Sequence, residues 1–239
     1  MTPQLNEIWV YLSASPLLGL TITLLAYQAA FWLYRRSGLN PLVNPVLVAV
    51  TILVLLLTLT GTSYETYFAG AQFVHFLLRP ATVALAIPLF LQFRRVRSML
   101  LPVAAGLLAG SLTAALSAIA IARLFGASLP TQLSLAPKSV TTPIAMGIAE
   151  RIGGLPSLTA VLVIATGILG AVSGRYVLDA IKVRDPAIRG FAIGVAAHGI
   201  GTARAFQVSE QAGAFAALAM GLNGALTALL LPLLVGWMR

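Results

Sequence analysis

The sequence predicts an all-α protein that crosses a membrane several times, and three observations lead to this fold class. Hydrophobic residues make up 59% of the 239 residues and charged residues 9%, against roughly 25% charged residues in soluble domains. The hydrophobic residues form long runs, and the basic residues lie in small groups between them, as the positive-inside rule expects. A water-soluble enzyme or regulator is excluded, because its surface could not carry so much apolar area.

The apolar runs have the length of membrane segments, since a bilayer core requires about 20 apolar residues per helix. They occupy residues 16–34, 42–61, 66–93, 99–123, 130–149, 156–178, 187–209 and 212–236. We expect seven or eight hydrophobic segments in one integral membrane domain over residues 1–239. Glu7 but no basic residue precedes the first run, which predicts a retained helix and not a cleaved signal peptide.

Three of the runs contain helix-breaking residues beside polar groups. The breaks lie at Arg79-Pro80, at Pro137-Lys138 with Pro143 beyond it, and at residues 198–201, His-Gly-Ile-Gly. Irregular backbone within a membrane is tolerated only where protein or a water-filled cavity satisfies it. The sequence therefore predicts broken or re-entrant helices at these places.

The charged loops predict the topology. Arg35 with Arg36, and the group Arg94, Arg95 and Arg97, place two loops in the cytoplasm. The later basic cluster at residues 175–189 is also cytoplasmic only if residues 130–149 do not cross. The sequence thus favours a re-entrant segment at 130–149, and the alternative is a full crossing that leaves the cluster outside.

Two of the broken segments resemble each other. Residues 80–89, PATVALAIPL, align with residues 137–146, PKSVTTPIAM, at Pro, Thr/Ser, Val and Ile positions. The predicted topology makes this repeat an inverted one. N-terminal helices at 1–62 then precede one half at 64–125, broken at Pro80, and a second half at 128–236, broken at Pro137 and near His198. Paired interrupted segments indicate the binding site of a transporter.

Four motifs give the chain a family resemblance. They are RPATVALAIPL at 79–89, LAPKSVTTPIAMGIAERIGG at 135–154, LTAVLVIATGILGA at 158–171 and AAHGIGTARA at 196–205. With these motifs the chain resembles the LrgB/CidB family over most of residues 65–236. One departure is Ala197, where many relatives have Ser, so a hydroxyl contact at that position is not expected.

The resemblance implies several properties. The family is described as antiholin-like or holin-like, and its members are often encoded beside a small membrane partner of the LrgA/CidA type. Related members, the plastidal glycolate/glycerate translocator and bacterial pyruvate carriers, transport small monocarboxylates. Separately, the sequence shows no transit-peptide composition, and we therefore expect a multi-pass protein of the bacterial inner membrane.

Lys138 is the most informative residue of the predicted site. A charge at membrane depth is costly unless it faces a cavity or a partner, and Ser139, Thr141 and Thr142 follow at the start of a short helix. An ammonium, hydroxyls and a helix N-terminus together form a site for a carboxylate. The alternative is an interfacial lysine that extends to water.

The first repeat offers a mirror site at Pro80 and Thr82. It has Ala81 in place of the lysine, but its helix N-terminus is expected to face the same cavity. Arg79 either supplies a second positive charge or bonds the carbonyls at the break, and the sequence leaves both options open.

The third break contributes His198, Gly199, Gly201, Thr202 and, further along, Arg204. The glycines allow the backbone to unwind or a helix to approach closely. His198 either contacts substrate and carries a proton or serves as a structural hydrogen-bond partner, and the structural role is slightly favoured. Arg204 is expected to pair with substrate, with Glu210 or with lipid headgroups.

Other chemistries lack support in the sequence. Cysteine is absent and only two histidines occur, so we expect no metal, no cofactor and no catalytic residues. The small basic groups fit topology and not nucleic-acid binding. GxxxG spacings at Gly106/Gly110, Gly170/Gly174 and Gly190/Gly194 indicate close packing within one bundle, and a homodimer stays possible.

The function predicted first is a secondary transporter of small monocarboxylates that works by alternating access. The anion would lie between the half-helix starts at Thr82 and Ser139, with Lys138 supplying charge. The alternative is a holin-like pore or a modulator of murein hydrolase export and autolysis.

Overall fold

A computed structural model describes residues 16–237, which are helical with no strand among them. The helices are α1 Pro16–Arg36, α2 Pro45–Thr60, α3 Tyr64–Ala71, α4 Phe73–Ala84, α5 Ala86–Leu91, α6 Phe93–Ser98, α7 Leu100–Leu124, α8 Leu129–Leu135, α9 Thr142–Ile152, α10 Pro156–Ala180, α11 Pro186–Val208 and α12 Glu210–Trp237. They form two compact units, Met1–Ala84 and Leu85–Arg239.

Four of the described helices are long and apolar enough to cross a membrane. They are α1, α7, α10 and α12, with spans at Leu17–Arg36, Leu100–Leu124, Pro156–Ala180 and Glu210–Gly236. The apolar helix α2 is shorter, at 16 residues. The chain is therefore an all-α, multi-pass membrane protein, as the composition predicts. The count of seven or eight segments and the inverted repeat stay predictions.

In the first unit, α1 packs against α2 and α3. Ala26, Ala30 and Ala49 form a small buried core between α1 and α2. Thr23 Oγ1 lies 2.8 Å from the Tyr67 hydroxyl and joins α1 to α3. Asn44 caps the start of α2 by accepting hydrogen bonds from two backbone N–H groups, which are otherwise unpaired at a helix start.

Helix α4 continues through Pro80, so the break predicted there is not found. Proline removes one hydrogen bond from a helix, and apolar surroundings favour keeping the others. The interruptions lie later, at Leu85 and Gln92, which separate α4, α5 and α6. The side chains of Arg79 and Thr82 lie outside the described residues.

Helix α11 reverses direction at His198. His198 has φ 40° and ψ −132° inside an otherwise helical segment. A Cβ built on Gly201 would lie 2.8 Å from Ile193 Cγ2, whereas residues eight apart are roughly 12 Å apart in a continuous helix. We call residues 186–208 hairpin B, with limb 1 before His198 and limb 2 after it. The apolar run 187–209 therefore does not cross the bundle as one helix.

Limb 1 packs directly on α12 and runs parallel to it. A Cβ on Gly190 would lie 2.0 Å from Ala212 O, and one on Gly194 would lie 2.2 Å from Ala216 O. Limb 2 returns antiparallel to α12, with Phe206 against Gly213. Both ends of hairpin B thus lie beside the start of α12.

The other two GxxxG pairs fix the directions of α7 and α10. Gly106 and Gly110 on α7 face Phe191 and Val195 of limb 1, so α7 runs parallel to limb 1. On α10 the order is inverted, because Gly170 faces Ala197 while Gly174 faces Ile193. All three pairs pack helices within one chain, as the sequence predicts.

Helices α8 and α9 form a second hairpin, hairpin A, over residues 129–152. It begins beside the end of α7 and finishes beside the start of α10, where the Leu155 N–H donates to Ser134 Oγ over 2.7 Å. Its turn reaches the middle of α12, since Asn223 Nδ2 donates to Ser139 O. Residues 130–149 therefore leave the bundle at the end where they enter it.

The two hairpins enter the second unit from opposite ends, which differ in charge. Between residues 85 and 237, eight of eleven lysines and arginines lie at the end where hairpin B starts, which we call the basic end. They are Arg94, Arg95, Arg97, Arg175, Lys182, Arg184, Arg189 and Arg204. Arg123 and Arg151 lie at the far end, and Lys138 lies between the ends. The positive-inside rule predicts that the basic end is cytoplasmic.

Single cysteines test both hairpins, because the native chain has none. We expect Ser128→Cys and Ser157→Cys to react with an impermeant thiol reagent from one side of the membrane. Lys182→Cys and Gln207→Cys should react from the other side, since each pair flanks a hairpin. Labelling of Ser128→Cys and Ser157→Cys from opposite sides would mean that residues 129–152 cross.

The close contact between limb 1 and α12 at Gly194 also gives a prediction about stability. Gly194→Ala should lower the free energy of unfolding by about 2–3 kcal/mol, because its methyl group overlaps a backbone carbonyl. Gly221→Ala is the matched control, since nothing lies within 4 Å of its added Cβ. Thermal unfolding in detergent measures both, and equal midpoints for the two variants would contradict the packing described here.

Candidate functional site

A cavity of about 740 Å³ lies within the second unit, between α7, α10 and limb 1 of hairpin B. Along α7 its lining extends from Pro102 near the basic end to Ala114 near the middle of the helix. Most of the lining is apolar, with Phe191 and Phe215 among the walls. The cavity is therefore a mainly hydrophobic space that leads from the basic end toward the turn of hairpin A.

Lys138 and Ser139 supply the polar inner end of this cavity. Lys138 Nζ lies 3.5 Å from Ala114 O and 3.5 Å from Ser139 Oγ, so its hydrogen bonds are long. Among the described residues that line the cavity, Lys138 alone carries a formal charge. A half-buried ammonium with weak protein partners is suited to bind an anion.

The turn that carries Lys138 is fixed by its own backbone. The Lys138 N–H donates to Leu135 O over 3.1 Å and the Val140 N–H donates to Pro137 O over 3.2 Å. The side chains of Pro137 and Val140 are buried on either side of the lysine. The two backbone hydrogen bonds and the buried side chains of Pro137 and Val140 thus hold the lysine at the inner end of the cavity.

Asn223 joins the two hairpins near the middle of α12. Its Nδ2 donates to Ser139 O over 3.2 Å and to Val195 O over 3.1 Å. Thr227 Oγ1 donates to Asn223 Oδ1 and lies 3.1 Å from Ser111 Oγ on α7. One buried amide therefore bonds a carbonyl from each hairpin.

His198 forms the turn of hairpin B and does not line the cavity. Its ring Nε2 lies 3.0 Å from Val163 O on α10, and the Thr202 hydroxyl donates to His198 O over 2.8 Å. Gly167 makes room for the ring, because a Cβ there would lie 2.7 Å from His198 Cε1. These contacts fit the structural role that the sequence slightly favours, and the choice between that role and proton transfer stays a prediction.

The structure brings only part of the predicted site together. Lys138 and Ser139 line the cavity, whereas Thr141 and Thr142 are half-buried at the start of α9, away from its lining. The remaining predicted residues with described side chains also lie outside that lining: Pro80, His198, Gly199, Gly201, Thr202 and Arg204. Arg204 lines a separate cavity, and Pro80 belongs to the first unit. Substrate binding by these residues stays a prediction.

Sequence reasoning missed Thr166, Phe191 and Phe215, which line the cavity. Thr166 lies within the third family motif, in an apolar run where a threonine is usually unremarkable. Asn223 is an interhelical hydrogen-bond partner, because it donates to carbonyls of both hairpins. No group of three histidine, aspartate or glutamate residues that could hold a metal occurs between residues 16 and 237.

The family is decided by a match to residues 23–237, which fit the LrgB-like family. The chain belongs to the LrgB-like family. The match includes the turn of hairpin A, the turn of hairpin B and every residue that lines the cavity. No solved structure matches the chain.

Individual relatives cover almost the whole chain. YwbG of Bacillus subtilis strain 168 is 36% identical over 222 residues, which is 93% of this chain and 98% of that protein. YxaC of the same strain is 36% identical over 214 residues, 90% of this chain and 93% of that protein. Antiholin-like protein LrgB of Bacillus cereus strain B4264 is 29% identical over 219 residues, 92% of this chain and 95% of that protein.

The Asn223 network gives a prediction about stability. Asn223→Ala should lower the free energy of unfolding by about 2–3 kcal/mol, because two buried carbonyls lose their donors. Asn40→Ala is the matched control, since Asn40 is exposed and its Oδ1 accepts one bond from Leu42 N. If thermal unfolding shows the same midpoint for both variants, Asn223 does not hold the hairpins together.

Proposed function

We propose that the protein is a secondary transporter of small organic anions of the monocarboxylate class, such as glycolate, glycerate, lactate or pyruvate. The observation that carries the proposal is Lys138, the charged residue at the inner end of a mainly apolar cavity. The proposal includes no enzymatic activity and no cofactor. The comparisons give no support for a particular substrate.

The charge balance of the cavity supports an anion. A lysine among apolar side chains loses hydration of its ammonium group, which is unfavourable. A carboxylate partner offsets much of that free-energy cost. Ser139 Oγ lies beside the ammonium and offers a hydroxyl to the same ligand. The apolar walls around Phe191 and Phe215 suit a small acid with few polar groups beyond its carboxylate.

The position of the cavity supports a transport cycle. It leads from the basic end to the middle of the bundle, and the arginines there attract anions from solution. The two hairpins enter from opposite ends and meet at Asn223, which is a suitable arrangement for alternating access. We propose that residues 80–89 and 137–146 are the two copies of an inverted repeat.

A second candidate is an antiholin-like activity, and the names of relatives favour it. The Bacillus cereus relatives are named antiholin-like protein LrgB, and the comparisons support this candidate better than monocarboxylate transport. In this candidate the chain modulates a pore or the export of murein hydrolases. A small membrane partner of the LrgA/CidA type, a homodimer and a location in the bacterial inner membrane are further proposals that fit either function.

The lysine provides the test of the first candidate. Lys138→Gln in proteoliposomes should reduce uptake of the transported acid by about tenfold or more, because a charge-assisted hydrogen bond is lost. Lys182→Gln is the matched control, since Lys182 is the other lysine of the chain and is exposed in a turn. Normal uptake of every tested acid by folded Lys138→Gln protein would overturn the proposed site.

The two candidate functions differ in selectivity. A transporter should carry the acid and retain a neutral sugar of similar size inside the liposomes. A holin-like pore should release both solutes at comparable rates. Comparable release, with no saturation by the acid, would favour the second candidate over the first.

A further inference from the structure

A second cavity of about 630 Å³ lies at the basic end of the second unit. It is enclosed by the last turns of α10, by both limbs of hairpin B and by the start of α12. It is separate from the cavity of Lys138, because limb 1 presents Phe191 to that one and Arg189 to this one. The proposed transport function does not use this second cavity.

Four arginines and one aspartate make the second cavity strongly positive. The lining includes Arg175, Arg184, Arg189, Arg204 and Asp179. Asp179 is shared, because its Oδ1 accepts from Arg189 Nη1 over 2.6 Å while its Oδ2 lies 3.7 Å from Arg175 Nε. One carboxylate thus faces four guanidinium groups in this lining.

Arg189 is held in place by the fold. Arg189 is largely buried, with 19% of its side chain exposed, and also donates to Val183 O over 2.8 Å. Hairpin B brings Arg189 and Arg204 to the same cavity from its two limbs, although they are fifteen positions apart in the sequence. Preorganised guanidinium groups favour phosphate, because their N–H groups match its oxygens in pairs.

The remaining lining of the second cavity is apolar. Ala171, Ile193, Ala205, Val208 and Ala212 contribute small or branched hydrophobic surfaces beside the arginines. A soluble anion makes no use of such surface, whereas a phospholipid presents a charged phosphate next to acyl chains. The basic end is cytoplasmic by the positive-inside rule, and anionic lipids of that leaflet are attracted to basic clusters.

We propose that this cavity binds the phosphate headgroup of an anionic phospholipid. The arginines contact the phosphate, and the apolar residues contact the first part of an acyl chain. The bound lipid then joins α10, both limbs of hairpin B and the start of α12. Its presence stabilises the reversal of the chain at His198.

The experiment uses the full chain, purified in detergent and stripped of lipid. Addition of phosphatidylglycerol should raise the unfolding temperature with saturation, whereas phosphatidylcholine should not. Native mass spectrometry should show a retained phosphatidylglycerol molecule. The double variant Arg184→Gln/Arg204→Gln should bind phosphatidylglycerol about tenfold or more weakly than the native chain. Each arginine near a lipid phosphate contributes substantially to the binding free energy.

Arg94→Gln/Arg97→Gln is the matched control, because both arginines are exposed on α6 and do not line the cavity. It should bind phosphatidylglycerol as the native chain does. Arg189 is left intact, since its bonds to Asp179 and Val183 support the fold. If the double variant unfolds in neutral lipid, the exposed Arg184→Gln alone should still show weaker binding.

Four results would overturn the proposal. The first is equal stabilisation of the native chain by neutral and anionic lipid. The second is native affinity in a folded pocket variant, and the third is an equal loss in the control variant. The fourth is a rise in unfolding temperature with inorganic phosphate or glycerol phosphate that equals the rise with phosphatidylglycerol. That result would identify a soluble anion as the ligand. None of these measurements depends on transport.

Discussion

The arrangement of the second unit depends on one buried amide. A hairpin inside an apolar bundle leaves carbonyls at its turn without helical partners, and each unpaired carbonyl is unfavourable there. The two hydrogens of Asn223 Nδ2 satisfy one carbonyl from each hairpin, at Ser139 and at Val195. This bond places the turn of hairpin A against the middle of α12, and so determines the depth at which Lys138 lies.

Charge organises the same unit on a larger scale. Asp185 caps the start of hairpin B by accepting from two backbone N–H groups, and it also pairs with Arg95 before α7. The ion pair therefore holds the starts of α7 and hairpin B at one end of the bundle. Basic residues are concentrated at this end, while the interior keeps a single lysine among the residues that line the main cavity.

Composition and proline positions predict much of this structure, and packing explains what they miss. The low charge and the apolar runs predict a helical membrane protein, and Pro137-Lys138 correctly indicates an interruption near a cavity. The helix continues through Pro80 because one missing donor does not end a helix in apolar surroundings. The reversal at His198 depends on contacts of Gly190 and Gly194 with α12, which local sequence does not reveal. Arg189 and Arg204, near the two ends of the run 187–209, were a usable signal, since both ends are then expected on one side of the membrane.

The two hairpins are attached to the rest of the second unit in different ways. Limb 1 of hairpin B touches the backbone of α12 through Gly190 and Gly194, so no larger side chain fits between these two elements. Hairpin A is bounded instead by Gly126 and Gly153, both in the left-handed conformation that only small residues adopt easily. A side chain at either position would strain the backbone, so the two ends of hairpin A, and with them the position of Lys138, tolerate little substitution.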